Sequence, residues 1–267
     1  MRRRHLAFLA AAALACSARA HELVTLPTRE GVTQSFYIPS MDAAKVEAIA
    51  LLFAGGGGFI KLRMQDGDIR FGDRNFLPRS RQEFIRNGVL PVILDSPSDQ
   101  QSDEGMSNEF RASAAHATDV RAVVAEVKKR YPGRPVFLVA TSRGTLSVGH
   151  LAAALQGQIA GAVLTSSFFY ESGGRRARPV LASYDWSALK VPLLFVHHRD
   201  DGCGATPYQS AAQLAGRFPL VSVRGGKPAE SAACEPLAPH GFYGKEAPTI
   251  DAIAAWMLKR PFRKEID

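Results

Sequence analysis

Residues 135–145, Pro-Val-Phe-Leu-Val-Ala-Thr-Ser-Arg-Gly-Thr, constrain this chain more than any other stretch. An apolar run rich in β-branched and aromatic side chains stops abruptly at Ser142, with Ala140 two residues before it and Gly144 two after. Beyond the serine, Leu146, Val148 and Leu151 to Leu155 resume an apolar pattern at helical spacing. The segment predicts a strand, a sharp turn and a helix. Such a turn pushes one hydroxyl past the end of a sheet, and its flanking residues must be small because strand and helix crowd them. Ser142 is therefore a candidate nucleophile.

The rest of the chain supplies the sheet. Glu22 to Thr28 and Val32 to Ile38 flank Arg29-Glu30-Gly31 and predict an opening β-hairpin. Strands are expected at Glu47 to Phe53, Val89 to Leu94, Ile159 to Thr165, Val191 to His197 and Pro219 to Val223. Helices are expected at Arg79 to Arg86, Ala117 to Tyr131, Tyr208 to Arg217 and Pro248 to Leu258. In the second of these, Val120, Val123, Val124 and Val127 share one face. Alternating strands and helices imply an α/β protein, a mostly parallel sheet with helices on both faces. Residues 21–267 are expected to form a single domain. The stretch Ser166 to Lys190 is too short for a large lid, so an open site is expected.

A serine hydroxyl attacks carbonyls only when a base takes its proton, and the base needs a partner that fixes its tautomer. The acid candidates are Asp200 and Asp201, in the polar loop after the apolar run ending at His197-His198. The base candidate is His240, in Pro239-His240-Gly241 before the last helix. The tetrahedral intermediate also needs donors. Four glycines, Gly55 to Gly58, follow the third strand, and an N–H of Gly56 or Gly57 together with that of Arg143 is expected to hold the oxyanion. A phosphate loop would require Gly-Lys-Ser/Thr after the glycines, whereas Lys61 follows Ile60 and precedes Leu62. A metal site built from His197, His198, Asp200 and Asp201 is the rival reading, disfavoured because adjacent strand residues point to opposite faces.

With these residues in place the chain resembles the α/β-hydrolase superfamily, in particular serine esterases and dienelactone-hydrolase-like members without a large cap. The resemblance covers residues 21–267. The segment Leu193 to Asp201 is similar to the family's strand-His-Gly-x-x-Asp pattern, with His198 where glycine is usual, and it implies that Asp201 is the acid. The order Ser142, Asp201, His240 is the family's order. Three departures stand out: Ala140 replaces the first glycine of the elbow, Ala54 replaces the histidine that leads the lipase glycine loop, and Arg143 follows the nucleophile. Arg143 approaches an acidic substrate group or points to solvent. The resemblance implies a serine hydrolase acting on an ester, or an amide, of a small acyl substrate, with no metal or organic cofactor. A non-catalytic binding protein on the same fold and a serine peptidase are the alternatives.

Residues 1–20 have the features of a secretory signal: Arg2 to Arg4, the apolar Leu6 to Ala15, and Ala18-Arg19-Ala20 before His21. A lipoprotein anchored through Cys16 is the alternative, but the lipobox lacks leucine three residues before it. Cleavage would lower the basic count from 33 to 29 against 25 acids, and the net charge from +8 to +4. That weakens the case for a nucleic-acid partner and leaves no stable membrane anchor. One basic cluster remains, Arg175, Arg176 and Arg178, which marks a solvated loop or an acidic partner. Cleavage would also leave two cysteines, Cys203 and Cys234, and an even count in an exported chain predicts a disulfide. Cys203 lies two residues after Asp201 and Cys234 six before His240, so the bridge would tie the acid loop to the base loop.

Overall fold

The computed structural model describes residues 21–72, 74–171 and 178–267. The expected signal segment, residues 1–20, lies outside them, as do Arg175 and Arg176 of the basic cluster, while Arg178 is exposed. Along the chain the elements are β1 (Glu22–Arg29), β2 (Val32–Ile38), β3 (Ala48–Phe53), β4 (Arg63–Gln65), β5 (Asp68–Arg70), α1 (Phe76–Arg79), α2 (Arg81–Arg86), β6 (Val89–Leu94), α3 (Asn108–Arg111), α4 (Ala114–Arg130), β7 (Val136–Thr141), α5 (Gly144–Ala154), β8 (Gly161–Thr165), β9 (Tyr170–Glu171), β10 (Arg178–Pro179), β11 (Leu193–His198), α6 (Tyr208–Ala212), β12 (Leu220–Val223), α7 (Glu246–Met257) and β13 (Glu265–Ile266).

Among the described residues, nine strands form one sheet in the order β1-β2-β6-β3-β7-β8-β11-β12-β13. The β1–β2 hairpin joins antiparallel through β2 and β6, and every pairing from β6 onward is parallel. The central strands are buried throughout, as a sheet covered on both faces requires. Ile49, Leu51, Leu138 and Phe195 turn to the face covered by α4 and α5. Ala50, Leu52, Val139 and Val196 turn to the face covered by α1, α2 and α7. Successive residues of one strand thus enter two separate cores, the period-two rule applied to apolar residues only.

The helices begin and end for local reasons. In α4 the Ser113 hydroxyl accepts the His116 N–H at 3.2 Å, and Lys128, Lys129 and Arg130 fill the last turn, where cations suit the carboxyl end of a helix. The expected helix at 208–217 is shorter: beyond Ala212 the chain tightens into i to i+3 bonds, Leu214 N–H to the Ala211 carbonyl and Ala215 N–H to the Ala212 carbonyl. Among the described residues no helix is long and apolar enough to cross a membrane.

Parallel strands share one carboxyl edge, the edge at which open α/β sheets carry their sites. β3 ends there at Phe53, β7 at Thr141, β8 at Thr165 and β11 at His198. The glycine run, Ser142, Ser166 and Asp201 all follow from that edge.

Candidate active site

Ser142 sits on the turn between β7 and α5 with φ of 53°, a left-handed conformation unusual for a residue with a side chain. The turn is pinned on several sides. Ser142 N–H donates to the Thr165 carbonyl at 3.0 Å, and the Ser142 carbonyl accepts from the Thr145 hydroxyl at 2.6 Å. A side chain on Gly144 would lie 2.7 Å from the carbonyl oxygens of Phe53 and Ala54, so only glycine lets α5 start this close to β3. Ala140 is buried inside β7, and its carbonyl accepts from the Thr165 hydroxyl at 3.0 Å. The alanine therefore fits where the family pattern has glycine.

Asp201 and His240 come together although 39 residues separate them. His240 Nδ1 lies 3.0 Å from Asp201 Oδ2, with the two side chains 5% and 0% exposed. The carboxylate is fully engaged: Oδ1 accepts the Cys203 N–H at 2.9 Å and Oδ2 the Thr206 hydroxyl at 2.8 Å. Thr206 Oγ1 is also 3.1 Å from His240 Nδ1, so one hydroxyl bridges both groups. Asp200 turns the other way. It is exposed, 3.9 Å from His198 Nδ1.

The His240 loop is held from two further directions. The Ser166 hydroxyl donates to the His240 carbonyl at 2.8 Å. Arg79 donates to the Gly241 carbonyl at 2.9 Å and to Glu246 at 3.0 Å. The Cys203–Cys234 disulfide crosses from the Asp201 loop to the His240 loop, with a Cα–Cα distance of 4.7 Å.

Ser142 and His240 line one pocket of about 190 Å³ together with Gly55, Gly56, Asn75, Phe76, Cys234, Glu235 and Pro236. Gly55 packs so tightly on the nucleophile turn that an added Cβ would lie 2.9 Å from Ser142 Cβ. Gly56 is in the pocket wall, whereas Gly57 is not: a side chain added at Gly57 would lie 2.7 Å from the Glu104 carbonyl oxygen. Among the described residues, the N–H groups of Gly56 and Arg143 have no hydrogen-bond acceptor. The Arg143 side chain lies outside the pocket wall, its Nε donating to Asn108 Oδ1 at 2.8 Å, and Asn108 in turn donates to Glu171 at 2.6 Å.

His197 and His198 take opposite faces of β11. His197 Nε2 accepts the Ser167 N–H at 2.9 Å, and burial pushes its pKa down to about 3, so it is neutral. His198 Nε2 meets the Gly225 carbonyl at 2.8 Å. Among the described residues no group of three or more histidine, cysteine, aspartate or glutamate side chains converges as a metal site.

Four residues around this site carried no signal in the sequence: Thr206, Asn75, Arg79 and Arg111. Thr206, Arg79 and Arg111 are polar residues whose partners His240, Gly241 and Gly56 are distant in the chain, and Asn75 lines the pocket from the turn before α1; only the apolar approach to Asp201 and the glycine run flagged their surroundings.

The mostly parallel sheet with helices on both faces and its opening antiparallel hairpin are those of the α/β-hydrolase superfamily. A family profile described as serine aminopeptidase, S33, matches residues 82–226, more than half of the chain, and the chain belongs to that family. The match includes Ser142 and Asp201 and ends before His240. Among solved structures the fold is similar to an alpha-beta serine hydrolase homologue from Coxiella burnetii, at 12% identity and TM-score 0.59 over 91% of this chain and 98% of that one. It is also similar to Est1E from Butyrivibrio proteoclasticus, at 16% identity and TM-score 0.57 over 89% and 98%. A serine hydrolase without a lid from Xanthomonas campestris is similar at 14% identity and TM-score 0.54 over 90% and 94%. No curated protein matches the chain as a relative.

Proposed function

We propose that the protein is an exported serine hydrolase that cleaves a carboxylic ester of a small acyl substrate through an acyl-enzyme on Ser142. The observation that supports this most is a strained serine on a strand–helix turn sharing a pocket with a histidine paired to a buried carboxylate. In this reading Ser142 Oγ attacks the acyl carbonyl while His240 Nε2 takes its proton. Asp201 accepts from Nδ1–H and supports the imidazolium that forms. The N–H groups of Gly56 and Arg143 hold the oxyanion. His240 then protonates the leaving alcohol, and water attacks the acyl-enzyme by the same route.

Export is supported by the basic start, apolar stretch and small-residue site in residues 1–20, and by the Cys203–Cys234 disulfide, which suits an oxidising compartment. A second reading is an aminopeptidase. The family description favours it, and Glu235 in the pocket wall offers a carboxylate to a substrate's terminal ammonium. Parallel turnover of p-nitrophenyl esters and aminoacyl p-nitroanilides separates the two. Hydrolysis of the esters with a much larger kcat/KM supports the esterase; a reversed preference, lost in Glu235→Gln, contradicts it.

A further inference from the structure

Among the described residues Arg111 is the largest side chain that is buried completely, at 1% exposure. A buried guanidinium normally faces a carboxylate, because an unpaired buried charge is costly. Among the described residues Arg111 has no carboxylate partner. Its Nη2 donates to the Gly56 carbonyl at 2.8 Å and its Nη1 to the Ser147 hydroxyl at 3.0 Å, while Nε has no partner. One neighbouring charge, Arg143, repels it, and burial with that repulsion lowers its pKa. A charge kept at such cost has a use other than simple packing.

Its two acceptors lie on either side of the proposed oxyanion hole. Gly56 is in the wall of the Ser142 pocket. Ser147 lies in the first turn of α5, the helix that begins immediately after Arg143. The glycine loop itself is sandwiched. Gly55 accepts from the Gly58 N–H at 3.2 Å, and Gly57 accepts from the Met106 N–H at 2.9 Å. Arg111 supplies the bond to the carbonyl between these two.

A trans peptide unit carries its carbonyl and its N–H on opposite edges. Glycine has no side chain to resist rotation of such a unit, so an unrestrained glycine loop can turn over and present a carbonyl where a donor is needed. A carbonyl facing the oxyanion would repel it. Resting on the hydrolase reading above, we propose that Arg111 is the positioning residue of the oxyanion hole. It holds the peptide unit made of the Gly56 carbonyl and the Gly57 N–H, so that Gly56, whose own N–H is the proposed donor, cannot rotate about its Cα–C bond, and through Ser147 it ties the glycine loop to the turn that carries the Arg143 N–H. A charge-assisted bond in a buried setting is strong enough for this, and it acts before any substrate arrives.

The test uses the full chain with Arg111→Lys and Arg111→Gln, circular dichroism to confirm folding, a p-nitrophenyl ester as substrate and a trifluoromethyl ketone as a tetrahedral-adduct probe. Both variants are expected to lose kcat by about 10–100-fold with KM within about threefold of wild type. Affinity for the ketone should fall by the same factor as kcat/KM, since the adduct uses the hole and the substrate ground state does not. The lysine variant, which keeps the charge but not the fork, should retain more activity than the glutamine variant. Folded variants with kcat within about twofold of wild type would overturn the proposal, as would a loss carried by KM with ketone affinity unchanged. Failure of both variants to fold would assign Arg111 to stability alone and overturn it too. A wild type that hydrolyses no ester or anilide and binds no ketone would instead remove the hydrolase reading, and this inference with it.

Discussion

Cys203 and Cys234 are joined by a disulfide that connects the loop holding Asp201 to the loop holding His240. The Cys203 N–H also donates directly to Asp201 Oδ1. The covalent link and the buried carboxylate are therefore one assembly. The sequence separation is 31 residues, and by loop entropy a bridge of that span stabilises the fold by roughly 3–4 kcal/mol. Replacing both cysteines by serine should lower the melting temperature measurably and reduce esterase kcat more than it changes KM. Unchanged melting and unchanged kcat would show that the bridge orders neither loop.

Thr206 is fully buried between Asp201 and His240. Thr206→Val keeps the shape and removes the donor to the carboxylate. A lost hydrogen bond to a buried charge is worth about 1.5–3 kcal/mol, so kcat should fall roughly tenfold or more. Steady-state kinetics on the folded variant checks this, and a kcat equal to wild type would place Thr206 outside the machinery.

Gly55 tolerates no side chain because its neighbour is Ser142 itself, with 2.9 Å between an added Cβ and Ser142 Cβ. Gly55→Ala should displace the nucleophile turn or the glycine loop. The expected outcome is a folded protein with slow acylation, read as the single-turnover rate with a p-nitrophenyl ester. An acylation rate like that of wild type would mean that the turn has room to shift without consequence.

Two buried histidines set the acid limb of stability. Burial pushes His116 and His197 down to about 3, from an ordinary value near 6.5. Between those values the unfolded chain binds protons that the folded protein refuses, so stability falls as pH falls below about 6.5. Each contributes up to roughly 1.4 kcal/mol per pH unit. Asp95, whose carboxyl is raised by burial, works in the opposite direction, but it is one group against two. The melting temperature should therefore drop from pH 6.5 to 4.5. His116 stacks near Phe53 and Phe110 with neither ring nitrogen partnered, so His116→Phe should flatten that drop. A flat profile in wild type would contradict this assignment.

Much of the fold is legible in the sequence for a physical reason. Strands buried on both faces must be apolar throughout, so runs such as Val89–Leu94 stand out with sharp turn signals at both ends. The elbow is legible because its crowding admits only small neighbours. β13 was not legible, since a two-residue edge strand with one buried side chain has no period to detect. Nor was Arg111. Its partner Gly56 is 55 residues away, and an arginine in a polar stretch resembles any solvated one. The order of Asp200 and Asp201 required the loop's conformation, which the Cys203 N–H and the Thr206 hydroxyl determine together.

The central claim is that Ser142 is an activated nucleophile. Its most direct test is labelling of the purified protein with a fluorophosphonate probe, with the modified peptide located by mass spectrometry, beside Ser142→Ala. Stoichiometric labelling on Ser142 in the wild type and none in the variant is the expected result. A folded wild type that takes no label, or a Ser142→Ala protein that still does, would contradict it.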